Sequence, residues 1–268
     1  MVKKKPAIHS DGRLFVLLAT DKIIAMLLLC FFNLNRKNMK KMTVMLVVTI
    51  IALGAKSQFY VQGGLNLANI TNTNSGQTEK NHLLPTFNVG VMSRFGISSS
   101  FDLEAGVLFT GKGSKAETYF DNGENYVKTK FNPLYLEVPL NAVVKIPLDT
   151  KTKSNIFFHA GPYIAVGVGG KSTVDSKFGS IQGSSSNTIK FSNDDPFTSQ
   201  QDDAAYDKLK RFDFGANVGG GIDFGKLLLK ANYGFGLAKI NSTQSNNTVN
   251  DKNKFRTFSV SVGIPLGK

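Results

Sequence analysis

Residues 134–146, LYLEVPLNAVVKI, alternate between two kinds of side chain along their whole length. The even-numbered positions form one parity, which is apolar throughout: Leu134, Leu136, Val138, Leu140, Ala142, Val144 and Ile146. The other parity consists of Tyr135, Glu137, Pro139, Asn141, Val143 and Lys145. Strict alternation over this length predicts a β-strand with two chemically different faces. The fold depends on whether the apolar face meets protein, water or lipid.

Alternating stretches of this kind recur along the chain after Gln58. We predict eight strands, at 59–69, 85–97, 100–111, 130–147, 154–168, 210–223, 226–238 and 254–266. The connections near 97–100, 148–154 and 223–226 are short, whereas those at 70–84, 112–129, 169–209 and 239–253 are long and polar. Short and long connections that alternate strictly are typical of an up-and-down antiparallel barrel with its long loops at one end.

The polar parity of these stretches is rich in glycine and carries a few long side chains. Glycine in a strand often marks a close approach of other atoms, and an eight-stranded barrel is only just wide enough inside for its own side chains. We therefore predict that this parity points inward, and that the glycines make room for Arg94, Tyr135, Lys145, Tyr163 and Lys230. The apolar parity then faces outward, where so large a band requires lipid.

Aromatic residues near the strand ends fit a membrane-spanning barrel as well. Phenylalanines there are expected to form interfacial girdles: Phe59, Phe101, Phe109, Phe131, Phe212 and Phe255. The sequence thus predicts an all-β, eight-stranded antiparallel up-and-down transmembrane β-barrel preceded by a signal peptide. We expect the termini on the periplasmic side and four surface loops at the other end.

The N-terminal region carries the export signal. Residues 39–57 begin with Lys40 and Lys41, continue with an apolar run and end in small residues at Ala55 and Ser57, which predicts a signal peptide cleaved before Gln58. A second apolar stretch precedes it, and two tandem signals are not expected, so we interpret residues 1–38 as a start-site artefact. The barrel domain then spans 58–268 and lacks cysteine, which excludes disulfides and thiol catalysis there.

The net charge of +13 raises the question of nucleic-acid binding. However, 10 of the 32 Lys and Arg residues, and only 2 of the 19 Asp and Glu residues, precede Gln58. The remaining basic residues are scattered and form no stripe, whereas a phosphate-binding groove needs clustered charge. We therefore predict no nucleic-acid partner.

Several segments also resemble a known family. These are FYVQGGLNLAN (59–69), NPLYLEVPLNAVVKI (132–146), FFHAGPYIAVGVGG (157–170), FDFGANVGGGIDFG (212–225), NYGFGLAKI (232–240) and FRTFSVSVGIPL (255–266). They resemble the eight-stranded outer-membrane barrels of Gram-negative bacteria that include PorT-like proteins. The resemblance implies an outer-membrane location, contact with outer-membrane lipid and the barrel assembly machinery, and a non-enzymatic role that is structural, adhesive or related to assembly. It also implies secretion-apparatus proteins as candidate partners.

Charged residues on the inward parity are the main candidate site. They are Arg94, Asp102, Glu104, Glu137, Lys145, Arg211, Asp213, Asp223 and Lys230. Buried charges need partners, so we predict a structural salt-bridge network centred on Arg94, Glu104, Glu137, Lys145, Asp213 and Lys230. A gate or proton path is the functional alternative, but an eight-stranded barrel rarely leaves a channel.

Other motifs give weaker signals. GVGGKST (167–173) resembles part of a phosphate-binding loop, but Ala165 replaces a required glycine, and STVDSKFGS after it reads as a polar loop rather than a helix. The loop 169–209 carries clustered carboxylates, Asp194, Asp195, Asp202, Asp203 and Asp207, that could bind Ca²⁺ or bridge lipopolysaccharide, but their spacing is not that of a calcium loop. We predict no cofactor and no metal site.

Two alternatives to a non-enzymatic membrane barrel remain open from the sequence. A lipid-modifying enzyme would need a catalytic residue, for which inward-facing His159, with Glu137 near it, is the candidate, although no Ser–His–acid spacing stands out. We therefore assign no catalytic residue. A secreted soluble barrel of lipocalin type would bind a small apolar ligand, and would require the apolar parity to face inward.

Overall fold

The computed structural model describes residues 57–74, 77–79, 82–149, 154–192, 208–240 and 252–266. The predictions for residues 1–38, for the signal peptide as far as residue 56, and for the carboxylates between Asp194 and Asp207 lie outside these ranges. Within the described ranges, no helix is long and apolar enough to cross a membrane.

Thirteen strands make up the described fold. They are β1 (Ser57–Asn74), β2 (Gln77–Glu79), β3 (Leu84–Gly96), β4 (Phe101–Gly111), β5 (Ser114–Phe120), β6 (Asn125–Asp149), β7 (Ser154–Phe178), β8 (Ile181–Thr188), β9 (Lys190–Ser192), β10 (Lys208–Lys210), β11 (Phe212–Asp223), β12 (Leu228–Gly236) and β13 (Lys252–Leu266). A short 3₁₀ turn, Asp121–Gly123, joins β5 to β6.

Eight of these strands close into a ring, and they match the eight predicted stretches. The order around the ring is β1, β3, β4, β6, β7, β11, β12 and β13, with β13 pairing β1 again. Every pairing in the ring is antiparallel. Closure leaves no free strand edge within the ring, so its backbone groups are paired without solvent.

Burial along the strands decides which parity faces inward. On β6, Tyr135 and Val143 are almost fully buried, whereas Leu136, Val138 and Leu140 on the other parity are between 42% and 46% exposed. The other ring strands repeat the pattern, with exposed large apolar side chains on the outward parity. The predicted orientation is confirmed, and the lipocalin-type alternative, which needs the opposite orientation, is not supported.

Glycines on the inward parity of β11 create the space that the sequence predicted. Gly215, Gly219 and Gly221 lie opposite three large side chains of β7: Tyr163, His159 and Phe157. A Cβ atom at these glycines would lie 2.5–2.7 Å from the facing ring, which is closer than packed atoms approach. The narrow lumen therefore holds large side chains on β7 only because β11 has none at the paired positions.

The structure corrects two of the predicted long loops, the one after the third ring strand and the one after the fifth. β6 and β7 are each 25 residues long, and their outer halves pair with each other, with β5 and with β8. Residues 114–131 and 171–188 therefore form a four-stranded antiparallel sheet, which we call the protruding sheet. The segment STVDSKFGS, predicted as a loop, continues β7 as far as Phe178.

An apolar lid lies inside the mouth of the barrel. We call the end of the barrel from which the protruding sheet rises the loop end, and the opposite end, with the turns near 97–100 and 224–227, the turn end. At the loop end, Ile189 and Leu209 beside the short β9–β10 pair pack with Ile240, Phe191 and the barrel residue Tyr135. These side chains cover the lumen from above.

Two of the predicted girdle phenylalanines contribute to this lid instead. Phe255 is 2% exposed and packs against Tyr135 with ring centroids 5.5 Å apart, and Phe131 is half-buried against the same cluster. Phe255 is buried because it lies on the inward face of β13, as do Thr257 and Ser259. Phe59 and Phe212 lie on the outer surface as predicted, at 45% and 46% exposed.

Candidate functional site

The turn-end half of the lumen is organised around Glu104 on β4, which has no exposed surface. Its two carboxylate oxygens accept four hydrogen bonds, listed here with donor-to-acceptor distances: Tyr60 Oη (2.7 Å), Arg94 Nε (2.8 Å), Asn141 Nδ2 (3.1 Å) and Lys230 Nζ (2.5 Å). The four donors come from β1, β3, β6 and β12. One carboxylate therefore ties five of the eight ring strands together across the lumen.

Arg94 extends this turn-end cluster. Its guanidinium lies 4.0 Å from the ring centroid of Phe157 and 5.6 Å from that of Tyr60, within the range of cation–π attraction. Its Nη1 atom is also 3.5 Å from Asp223 Oδ2 on β11. The two cations Arg94 and Lys230 are thus matched by two carboxylates in a region that excludes bulk water.

A second cluster, at the loop end, is organised around Lys112. Its ammonium lies 2.7 Å from Asp213 Oδ2 and 2.9 Å from Glu137 Oε2, both nearly buried. Tyr163 also donates a hydrogen bond to Asp213, at 3.1 Å, and Asn217 donates one to Glu137, at 3.3 Å. This cluster connects β6, β7 and β11 to the residue that follows β4.

Aromatic rings complete the surroundings of Lys112. The ring centroids of Tyr163, Tyr135 and Phe255 lie 4.2, 5.4 and 5.9 Å from its Nζ atom. Two carboxylates and three rings form the kind of cage that binds alkylammonium ions. Here a side chain of the chain itself occupies the cage, directly beneath the lid.

Lys112 is the functional residue that the sequence interpretation missed. The predicted strand ends at residue 111, which leaves Lys112 in the predicted loop 112–129. Yet it continues the inward parity of β4 after Leu108 and Thr110. The chain turns just after it, at Gly113, whose φ of +123° is a conformation that favours glycine. Extending the alternation by one step would have found it.

Between the two clusters lies a layer of amide and hydroxyl side chains. Asn66 donates to Thr110 Oγ1 at 2.8 Å and accepts from Asn88 at 2.7 Å, and Gln62 donates to Asn88 at 3.2 Å. This layer lines a cavity of about 40 Å³, which offers room for a few water molecules at about 10–15 Å³ each. The middle of the lumen is therefore polar and largely filled by side chains.

The remaining candidate residues lie at the edges of these clusters. Lys145 pairs with Asp102 at 2.7 Å near the turn end, where its side chain is 22% exposed. Arg211 lies half-buried just before β11, and its carbonyl accepts a hydrogen bond from the backbone of Gly167 at 2.7 Å. All six residues expected at the centre of the network lie in the barrel, but they separate into these groups rather than forming one chain of contacts.

His159 takes a different partner from the one expected. It faces the lumen, as its parity predicted, and its Nε2 atom lies 2.9 Å from Asn232 Oδ1. In the strand register it stands opposite Val143 rather than Glu137, and Glu137 bonds instead to Lys112 and Asn217. The GVGGKST segment lies within β7 and continues as strand, so it lacks the helix that a phosphate-binding loop requires.

A protein-family model for the outer membrane protein β-barrel domain matches residues 54–242. The chain belongs to this family. Its outward apolar band therefore lies in the bacterial outer membrane, and the lumen described above is the interior of an outer-membrane barrel. The family match confirms the predicted membrane class but does not distinguish PorT-like proteins from other members.

The solved structures that match this chain are distant in sequence. They include the attachment invasion locus protein Ail of Yersinia pestis, at 14% identity over 79% of this chain and 99% of that one, with a TM-score of 0.36. Neisserial surface protein A matches at 11% over 78% and 97%, and OprG of Pseudomonas aeruginosa at 11% over 79% and 97%, both with TM-scores of 0.36. No curated protein matches this chain. These distant likenesses assign it no function.

Proposed function

We propose that this outer-membrane barrel is non-enzymatic and non-conducting, and that it serves to hold the protruding sheet and the lid as a surface for binding or assembly. The observation that supports this most directly is the 2.5 Å bond between Lys230 and Glu104. It joins β12 to β4 across the lumen. The Lys112 cluster lies above the Glu104 cluster, and the apolar lid lies above both. A solute could pass through the lumen only if the contacts in all three layers were broken.

The contacts of His159 support the non-enzymatic part of the proposal. A hydrolase or acyltransferase needs a nucleophile within reach of its base and a carboxylate that orients the base. The side-chain hydrogen bond of His159 is to the neutral amide of Asn232. An amide neither accepts a proton nor serves as a nucleophile, so the pair fits a role in filling the lumen.

Charge reversal at Glu137 tests the non-conducting part. Glu137→Lys places a second ammonium beside that of Lys112 and leaves Asp213 as the main counter-charge, so we expect the free energy of unfolding to fall by about 3–5 kcal/mol, the range for breaking a buried ion pair. Samples are heated to increasing temperatures and then run on cold detergent gels. The unfolding temperature is the one at which the fast-migrating band disappears, and it should be lower for the variant. Planar-bilayer recordings of wild type and variant should both show no conductance steps. Large stable channels from either protein would contradict the plug.

The role of the surface is narrowed by the PorT-like resemblance of residues 59–69 and 132–146, which supports a part in protein secretion. A strain lacking the gene is then expected to lose at least about half of its exported proteins from the medium, and the wild-type gene should restore them. The informative variant keeps the barrel but replaces residues 115–129 and 173–187 with short turns. Restoration by this variant would show that secretion does not need the protruding sheet. An unchanged set of exported proteins in the deletion strain would leave an adhesive or structural role.

Assembly partners follow from the same proposal. A closed transmembrane barrel needs catalysed insertion, so we expect the barrel assembly machinery to be a transient partner, and outer-membrane lipid to be the permanent one. Secretion-apparatus proteins are expected partners only if the secretion role holds.

A further inference from the structure

The outward face of β6 changes its chemistry where the strand leaves the apolar band. Leu140, Val138, Leu136 and Leu134 follow one another on this face inside the band. Asn132, Lys130, Lys128 and Tyr126 continue the same face into the protruding sheet. On β7 the exposed Val166 and Val168 are followed, after a bulge in the register, by Lys171 on the same outer face. The lipid-facing surface is thus continuous with a basic surface.

Three lysines meet at the base of that basic surface. Lys115 on β5 lies directly opposite Lys130 on β6, and Lys171 on β7 lies opposite Asn132, the next outward residue of β6. Opposed and diagonal side chains in an antiparallel sheet are about 5–8 Å apart. We call Lys115, Lys130 and Lys171 the lysine patch.

The charges of the patch are incompletely balanced within the protein. Lys115 pairs with Glu117 at 3.3 Å. In the part of the chain that the structure describes, Lys130 and Lys171 form no ion pair, and both are exposed. Like charges directly opposite each other destabilise a sheet, so the arrangement of Lys115 and Lys130 favours the binding of an external anion.

Height above the apolar band identifies the source of that anion. Lys130 is four residues from Leu134, or about 13 Å along the strand at about 3.3 Å per residue. With a tilt of about 45°, this is about 9 Å above the last apolar side chain, and the headgroup layer of one leaflet is about 5–8 Å thick. A lysine stem bending towards the membrane brings its ammonium into this layer.

We propose that the lysine patch binds the phosphate of an anionic lipid in the leaflet from which the protruding sheet rises. The acyl chains of the bound lipid lie along the outward apolar residues of β6 and β7, and its phosphate bridges Lys130 and Lys171, with Lys115 beside them. The inference depends on the outer-membrane location of the barrel and not on whether it conducts, catalyses or serves secretion.

Native mass spectrometry of the detergent-solubilised full chain tests this, with dioleoylphosphatidic acid and dioleoylphosphatidylcholine offered in turn at equal concentrations. We expect one phosphatidic acid molecule to bind wild type at least about tenfold more tightly than phosphatidylcholine, because each lysine near a membrane surface adds to the attraction for anionic lipid. Combining Lys130→Gln with Lys171→Gln should remove most of this preference.

The matched control changes two lysines away from the patch, half-buried Lys177 and exposed Lys226, in the double variant Lys177→Gln with Lys226→Gln. It alters net charge equally, so retained preference in the control supports a defined site. Equal loss in both double variants would overturn the proposal in favour of diffuse electrostatic attraction. Displacement of the lipid by millimolar glycerol phosphate would also overturn it, because the patch would then be a site for free phosphate. Cold gel mobility of each variant verifies that the barrel is folded.

Discussion

Replacing Glu104 with alanine should lower the free energy of unfolding by about 3–5 kcal/mol, the range found when one partner of a buried ion pair is removed. The variant leaves Arg94 and Lys230 buried with their shared carboxylate gone, and it also removes the acceptor of Tyr60 and Asn141. Urea titration of the barrel in phospholipid vesicles, followed by cold gel mobility, measures the change.

Further variants separate charge from packing at this site. In the double variant Glu104→Ala with Lys230→Met, one orphaned cation is removed, so we expect part of the lost stability to return. Together with the single variant Lys230→Met, these measurements complete the cycle that gives the coupling energy of the pair. The matched pair at the surface is Lys115–Glu117, whose side chains are 31% and 23% exposed, and Glu117→Ala should leave stability unchanged within error. If Glu104→Ala were as mild as Glu117→Ala, water would have to reach the cluster, and the lumen would not be plugged.

The sequence predicted which side chains enter the lumen because a strand has a period of two. On β4, Asp102 and Glu104 share a parity, and burial of the opposite parity would expose both charges to lipid. In a closed barrel that constraint holds for every strand, so the inward residues of all eight could be predicted without knowing any contact. The lipid around the barrel is the physical origin of this regularity.

The partners within the lumen could not be predicted in the same way. Glu104 and Lys230 are separated by 126 positions and lie on strands that are not neighbours in the ring. Their contact depends on the stagger and tilt of the barrel, which no local pattern encodes. The expected approach of Glu137 to His159 was wrong for this reason, because the register sets Glu137 opposite Ala165.

The sequence does not predict the protruding sheet, because strict alternation of apolar and polar side chains arises from contact with lipid on one face. Its β8 strand, IQGSSSNT, is exposed along its whole length, so neither face needs to be apolar. Outside the membrane, hydrogen bonds with β7 suffice to hold a polar strand. A search for alternation therefore ends where the bilayer ends, and the same limit hid Lys112, one residue beyond the predicted end of β4.

Replacing Lys112 with alanine should be as destabilising as the change at Glu104, at about 3–5 kcal/mol, because it leaves Asp213 and Glu137 buried without their cation. The vacated space retains two carboxylates and the rings of Tyr135, Tyr163 and Phe255. A primary alkylammonium such as butylammonium supplies the lost charge and an apolar stem of similar length, so it should bind the Lys112→Ala barrel and stabilise it.

The stabilisation of Lys112→Ala by butylammonium should depend on ligand concentration and on the N–H donors of the ligand. A ligand that binds only the folded barrel adds about 2.7 kcal/mol at 100 times its dissociation constant, so the urea midpoint of Lys112→Ala should rise steadily with butylammonium and that of wild type should not. Tetraethylammonium carries the same charge but no N–H donor for Asp213 and Glu137, and should stabilise far less. Equal stabilisation of both proteins by both ions would reduce the effect to ionic strength. If the Lys112→Ala barrel folds but its urea midpoint does not change with butylammonium, the lid has collapsed into the site. The cage would then be held open only by the side chain of Lys112.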